Sequence, residues 1–183
     1  MCNNFNKKFL DEAAKASEEK NFDEEMSSGN DIFMNEAIKA AIKGMDTNEG
    51  GPFGCVIVKD GKIIGKGNNQ VTSTNDPTAH AEVLAIRDAC KNLKSFQLEG
   101  CIIYASSEPC PMCLGAIYWA RPDKVYFGSS HEDAAKIGFD DEFIYREIQL
   151  PYNKRSISFE QYARNNALEV FNKWDEKEDK MEY

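Results

Sequence analysis

Two short stretches carry residue types that could do chemistry together: His80-Ala81-Glu82 and Pro109-Cys110-Pro111-Met112-Cys113. A thiolate pair at C-x-x-C spacing can chelate one ion from a turn and the first helical turn behind it. The positive helix end favours the thiolate form that ligation needs. One imidazole added to two thiolates makes a donor set that suits zinc. The count of three matters. A structural zinc site closes with four protein ligands, whereas a catalytic one keeps a position for water. The chain has only two histidines and no second C-x-x-C. The expected site is therefore open, and zinc in such a site lowers the pKa of its water to about 7.

A proton carrier is then needed. Glu82 is the candidate, two residues from a ligand and not itself a ligand. In a regular helix, side chains at i and i+2 point about 200° apart. His80 and Glu82 can share a site only where the helix end is irregular or the side chains reach around. Alone, the C-x-x-C also reads as a redox motif or half a zinc knuckle. Together, H-x-E and P-C-x-x-C form the signature of zinc nucleobase deaminases. The second histidine, His131, reads as a surface or helix-start residue. Cys55, Cys90 and Cys101 lie in apolar segments and read as core, and Cys2 lies in the tail.

The elements that must hold these residues follow from patterning. Asp31 is a candidate N-cap for a helix with an apolar stripe of Phe33, Ala37 and Ala41, flanked by Ile38 and Ile42, and Gly44 is its stop. Two β-branched runs around Asp60-Gly61 predict a hairpin. Asp76-Pro77 should open a second helix, running to about Leu93, with Val83, Leu84, Ile86 and Cys90 in the core. Cys101 to Tyr104 predicts a third strand, and a loop over Glu108 to Met112 leads into a helix through Trp119. Val125 to Phe127 predicts a fourth strand, and Ser156 to Phe159 a fifth. The remainder after His131 is helical in pattern. The expected fold is α/β, a three-layer α/β/α sandwich with a mixed sheet of about five strands.

Composition bounds the rest. The chain has 183 residues, 31 acids against 22 bases, and a formal charge of −9. The length suits one domain. Residues 1–30 carry net −3 and read as an acidic, flexible extension, leaving 31–183 as the catalytic body. Phe5, Phe9, Ala13 and Ala16 could line one face of a short helix within it. The body stays at −6 without the extension, a poor background for nucleic-acid binding. No signal peptide, transit peptide or membrane span is expected. That points to a cytoplasmic protein with reduced thiols.

The chain resembles the cytidine-deaminase-like superfamily and, within it, the small cytosolic guanine deaminases. The matching stretches are Gly50-Gly51-Pro52-Phe53-Gly54, Thr74 to Glu82 and Glu108 to Arg121, with Gly138-Phe139-Asp140-Asp141 as the part specific to guanine or guanosine enzymes. The resemblance implies hydrolysis of guanine to xanthine and ammonia. It places zinc on His80, Cys110 and Cys113, and the proton shuttle on Glu82. Asn69 would bind the base edge, Asp141 would contact the base near the amine, and Phe53 and Trp119 would flank the ring. Tyr183 would be the C-terminal tyrosine that closes the pocket. A homodimer with a swapped C-terminal segment is also implied. Structural explanations compete: Asn69 could fix a turn, Asp141 could cap a helix, and Trp119 could be core. The rival functions are a guanosine deaminase, a tRNA adenosine deaminase and a non-enzymatic zinc module.

Overall fold

The computed structural model describes residues 30–181. The expectations on Cys2, on the helical face Phe5 to Ala16 and on Tyr183 lie outside the described residues.

β1 (Gly54–Lys59) and β2 (Lys62–Asn68) form the expected hairpin. Asp60 and Gly61 turn it with φ of +50° and +69°, the backbone that a two-residue hairpin loop demands. β1 also pairs antiparallel with β3 (Cys101–Ser107), and β3 pairs parallel with β4 (Lys124–Ser129). The sheet is mixed, in the order β2-β1-β3-β4. The parallel pair needs a crossover, and α4 (Pro111–Ala120) supplies it.

Strand alternation sends Cys55, Ile57, Cys101 and Ile103 to one face, under α3 (Ala81–Leu93) and α4. Val56, Val58 and Tyr104 face the other way, onto Ala37, Phe33 and Met34 of α1 (residues 30–46). The three-layer expectation holds, with four strands in the sheet.

The fifth strand does not form. Ser156 donates from its backbone N and its Oγ to Glu147, at 2.7 and 2.9 Å. The Arg155 guanidinium donates to the carbonyls of Leu150 and Ile148 and stacks on Tyr152 and Phe159. These local bonds draw Arg155 and Ser156 back onto the end of the preceding helix, and the Ser156 N–H goes to Glu147 instead of a strand partner.

Both long helices sit on the sheet through small residues. A Cβ built on Gly54 would lie 2.1 Å from the Ala37 carbonyl, and one on Gly67 would lie 2.3 Å from the Ala81 carbonyl. At that approach only alanines fit beneath the helices. Ala81, Ala85 and Ala89 are buried on α3, while Val83, Leu84, Ile86 and Cys90 are only partly so. On α1, Ala37, Ala40 and Ala41 are buried, and Ile38 and Ile42 are exposed. Asp31 is not the cap of α1. Residue 30 is already helical, and its Oδ1 accepts a 2.6 Å bond from the Tyr104 hydroxyl. Gly44 does not stop the helix, which runs to residue 46.

After β4 come α5 (His131–Lys136), α6 (Glu142–Gln149), a 3-10 turn (Tyr152–Lys154) and α7 (Arg164–Asp175). None of these four buries a residue.

Candidate active site

The short α2 (Val71–Thr74) and a turn separate β2 from α3. Asp76 does not cap α3. Its Oδ1 accepts from Thr78 N and Oγ1 at 2.8 and 2.7 Å, closing an Asx turn that delays the helix. His80 becomes the N-cap instead, with extended backbone (φ −76°, ψ 153°). Glu82 lies one residue into α3 and is 7 % exposed.

Cys110 repeats this geometry at α4. It is an extended N-cap, Pro111 follows as the first helical residue, and Cys113 completes the first turn. Pro suits that position because its missing N–H would be unpaired there anyway.

The two helix starts meet. His80 Nδ1 lies 3.5 Å from Sγ of Cys110 and 3.5 Å from Sγ of Cys113. A tetrahedral zinc, with its usual bond lengths, sets nitrogen and sulfur donors about 3.5 Å apart. The donor set therefore fits zinc. Glu82 Oε2 accepts from Cys113 Sγ at 3.4 Å, beside the cluster and outside its donor set.

Electrostatics follow from burial and crowding. The Cys113 thiol and the His80 imidazole hold the Cys110 thiol down at about 4. Cys113 is pushed up because its neighbour is a thiolate and because it is buried. The Cys110 hydrogen bond raises His80. Burial raises the Glu82 carboxyl, while the Cys113 bond and the His80 charge lower it.

The cluster opens into a cavity of about 380 Å³, within the range of roughly 300–1,000 Å³ of small-molecule sites. Phe53, Asn69 and Asp141 line it with His80, Glu82 and Cys110. Asn69 does fix a turn: Oδ1 accepts from Gly51 N and Val71 N, both at 3.2 Å. Its Nδ2 donors are left to the cavity. Asp141 holds the N-cap position of α6 but makes no side-chain capping bond, and Asp140 Oδ1 accepts from Glu142 N at 3.1 Å. Burial raises Asp141.

Trp119 does not join them. It is 66 % exposed and outside the lining. Cys113, Ile117 and Ala120 occupy the inner face of α4, and a residue two beyond Ile117 points away from it. Within its own chain Trp119 is neither core nor a ring-flanking residue. The lining also includes residues that were not expected, among them Glu108, His131 and Phe139. Phe139 stands edge-on to Phe53, with centroids 4.9 Å apart at 88°. Each had a signal, since Glu108 and Phe139 fall inside matching stretches and His131 is one of two histidines.

Fold and donor set together define a zinc hydrolase of the deaminase type. The chain belongs to the cytidine and deoxycytidylate deaminase zinc-binding family, whose model matches residues 27–129. Zinc is its cofactor. The chain is 54 % identical to a guanine deaminase of Bacillus subtilis over 84 % of its own length and 98 % of that protein. A solved guanine deaminase structure from Bacillus subtilis matches with TM-score 0.82 at 54 % identity, over the same shares of the two chains. A tRNA-specific adenosine deaminase of Aquifex aeolicus is 34 % identical over 80 % of this chain and 93 % of that one.

Proposed function

We propose that this chain hydrolyses guanine to xanthine and ammonia. The observation that carries the reading is the buried Glu82 carboxyl beside a three-donor cluster, at the floor of a purine-sized cavity. His80, Cys110 and Cys113 hold the zinc. Zinc, when bound, supplies Lewis-acid activation of water at neutral pH. Glu82 carries two protons in turn: one from the attacking water to a ring nitrogen, then one from the hydroxyl so added to the base to the departing amine. The Asn69 amide donates to an acceptor on the base edge. Asp141 accepts from the amino group, and Phe53 packs against the ring.

The identity to a full-length guanine deaminase, 54 % against 34 % for the Aquifex enzyme, supports a base over a tRNA substrate. The acidic body supports it too, since a tRNA groove needs clustered cations. Guanosine is the second reading, because the Gly138 to Asp141 segment suits either substrate.

The enzyme works as a homodimer with its C-terminal segment exchanged. Supporting this, α4 exposes Leu114, Tyr118 and Trp119, and α7 exposes Val170, Phe171 and Trp174. Large apolar side chains left exposed together on one helix face suit an interaction surface. Trp119 completes the partner's pocket across that interface. An accessory extension precedes the catalytic body, and the boundary falls before Asn30 rather than after it, because Asn30 is tied to the body by its bond to Tyr104. The protein is cytoplasmic, in keeping with the unpaired thiols of Cys55, Cys90 and Cys101; among the described residues no helix is long and apolar enough to cross a membrane. The direct test is ammonia release from guanine by the zinc-loaded full chain.

A further inference from the structure

Glu108 and His131 have no part in the mechanism above, yet both line the cavity. Glu108 Oε2 accepts twice from His131, from the backbone N at 3.1 Å and from ring Nδ1 at 2.9 Å. The Glu108 backbone N donates to the Ser129 carbonyl at 2.8 Å. β3 and β4 pair as far as Ser107 and Ser129. The side-chain clasp therefore continues the ladder where the two strands stop. One arm leads within two residues to Cys110. The other arm is the first residue of α5.

α5 is short and fixed at both ends. Ser130 and Asp133 form a reciprocal capping box at its start. At its end Gly138 N and Phe139 N donate to the carbonyls of Ala135 and Ala134, at 3.0 and 3.1 Å, with Gly138 at φ +94°. Phe139 then meets Phe53 edge-to-face, and Asp141 follows two residues on. Beyond the Glu108 N–Ser129 bond that ends the strand pairing, one side-chain pair thus ties the Cys110 loop to the Phe139–Asp141 wall.

We propose that His131 is a positioning residue. Through Glu108 it fixes the Phe139–Asp141 wall against the Cys110 loop and so sets how tightly the purine ring is held. The ligand class rests on the function proposed above. Loss of the clasp loosens substrate binding more than the chemical step, because Glu82 and the three donors are placed by α3 and α4.

The test compares His131→Ala with His131→Asn, whose side-chain amide can donate where Nδ1 did. Kinetics on guanine are measured on the zinc-loaded full chain, together with hydrogen exchange of the amides of residues 138–143. His131→Ala should raise KM about tenfold with kcat within about threefold, the loss expected for one bond to a charged group. Exchange of the wall should quicken, and His131→Asn should restore both. An unchanged KM, a fall in kcat alone, unchanged exchange, or an asparagine variant as impaired as the alanine one would overturn the proposal. If the alanine variant does not fold, His131→Phe, which keeps a ring without the donor, is judged by the same criteria. A wild type that releases no ammonia from guanine overturns the proposed function instead, and the exchange data alone then decide the clasp.

Discussion

His80 and Glu82 face one site although a single residue separates them. His80 closes an extended segment as the N-cap of α3, and Glu82 lies in the first helical turn. Within a regular helix the same spacing would point them about 200° apart. The break in backbone geometry brings the Glu82 carboxyl beside the donor cluster, where Cys113 Sγ is 3.4 Å away.

That placement separates metal binding from proton transfer. Glu82→Gln keeps the side-chain shape and removes the proton carrier. Zinc content should stay near that of the wild type, while kcat on guanine falls by at least about 10². Metal analysis and ammonia assay on the same sample check both halves. Full turnover would remove Glu82 from the mechanism.

The same helix start depends on Gly67. A Cβ there would lie 2.3 Å from the Ala81 carbonyl and 2.7 Å from Ala85 N. Both are backbone atoms, so α3 must move. Gly67→Ala should cost about 1–3 kcal/mol in urea unfolding and lower zinc affinity, since Ala81 follows His80 directly.

His131 gives the stability a pH signature. The Glu108 bond raises its pKa above the usual histidine value, with Glu132 and Glu142 acting in the same direction. A raised folded-state pKa stabilises fully below the unfolded value of 6.5 and is lost as pH rises through the folded value. The urea midpoint of the wild type should exceed that of His131→Asn at pH 6, and the gap should narrow by pH 9. A gap that widens with pH would contradict the charged clasp.

The exposed face of α4 predicts the oligomer. Trp119→Asp places a charge in the proposed interface, where desolvating it is costly. The wild type should scatter light at twice the chain mass. The variant should move toward the chain mass and lose activity on guanine. A monomeric, fully active wild type would contradict the exchanged dimer.

Much of the site was legible because its chemistry needs particular residue types at short spacing. His80, Glu82, Cys110 and Cys113 sit at two helix starts, where turn, cap and proline mark the sequence. The Asp60-Gly61 hairpin was legible for the same local reason. The clasp was not, because Glu108 and His131 are 23 residues apart and meet only through the pairing of β3 with β4. The core face of α3 was misread toward large residues, whereas the Phe33, Ala37 and Ala41 stripe of α1 does meet the sheet. The close approach of Gly54 and Gly67 leaves room only for alanine, and that approach is a tertiary property. In place of the fifth strand, Glu147 takes the Ser156 amide and Arg155 turns back onto the Ile148 carbonyl, contacts that the local pattern of 156–159 does not reveal.

The central claim is the substrate. Ammonia release should be measured with the zinc-loaded full chain on guanine, guanosine, adenine, cytosine and their nucleosides, alongside a tRNA substrate. Guanine should give the highest kcat/KM, ahead of guanosine by at least about tenfold, a discrimination of roughly 1.4 kcal/mol. Turnover of guanosine at or above the guanine rate, or of tRNA adenosine with silence on guanine, would contradict it.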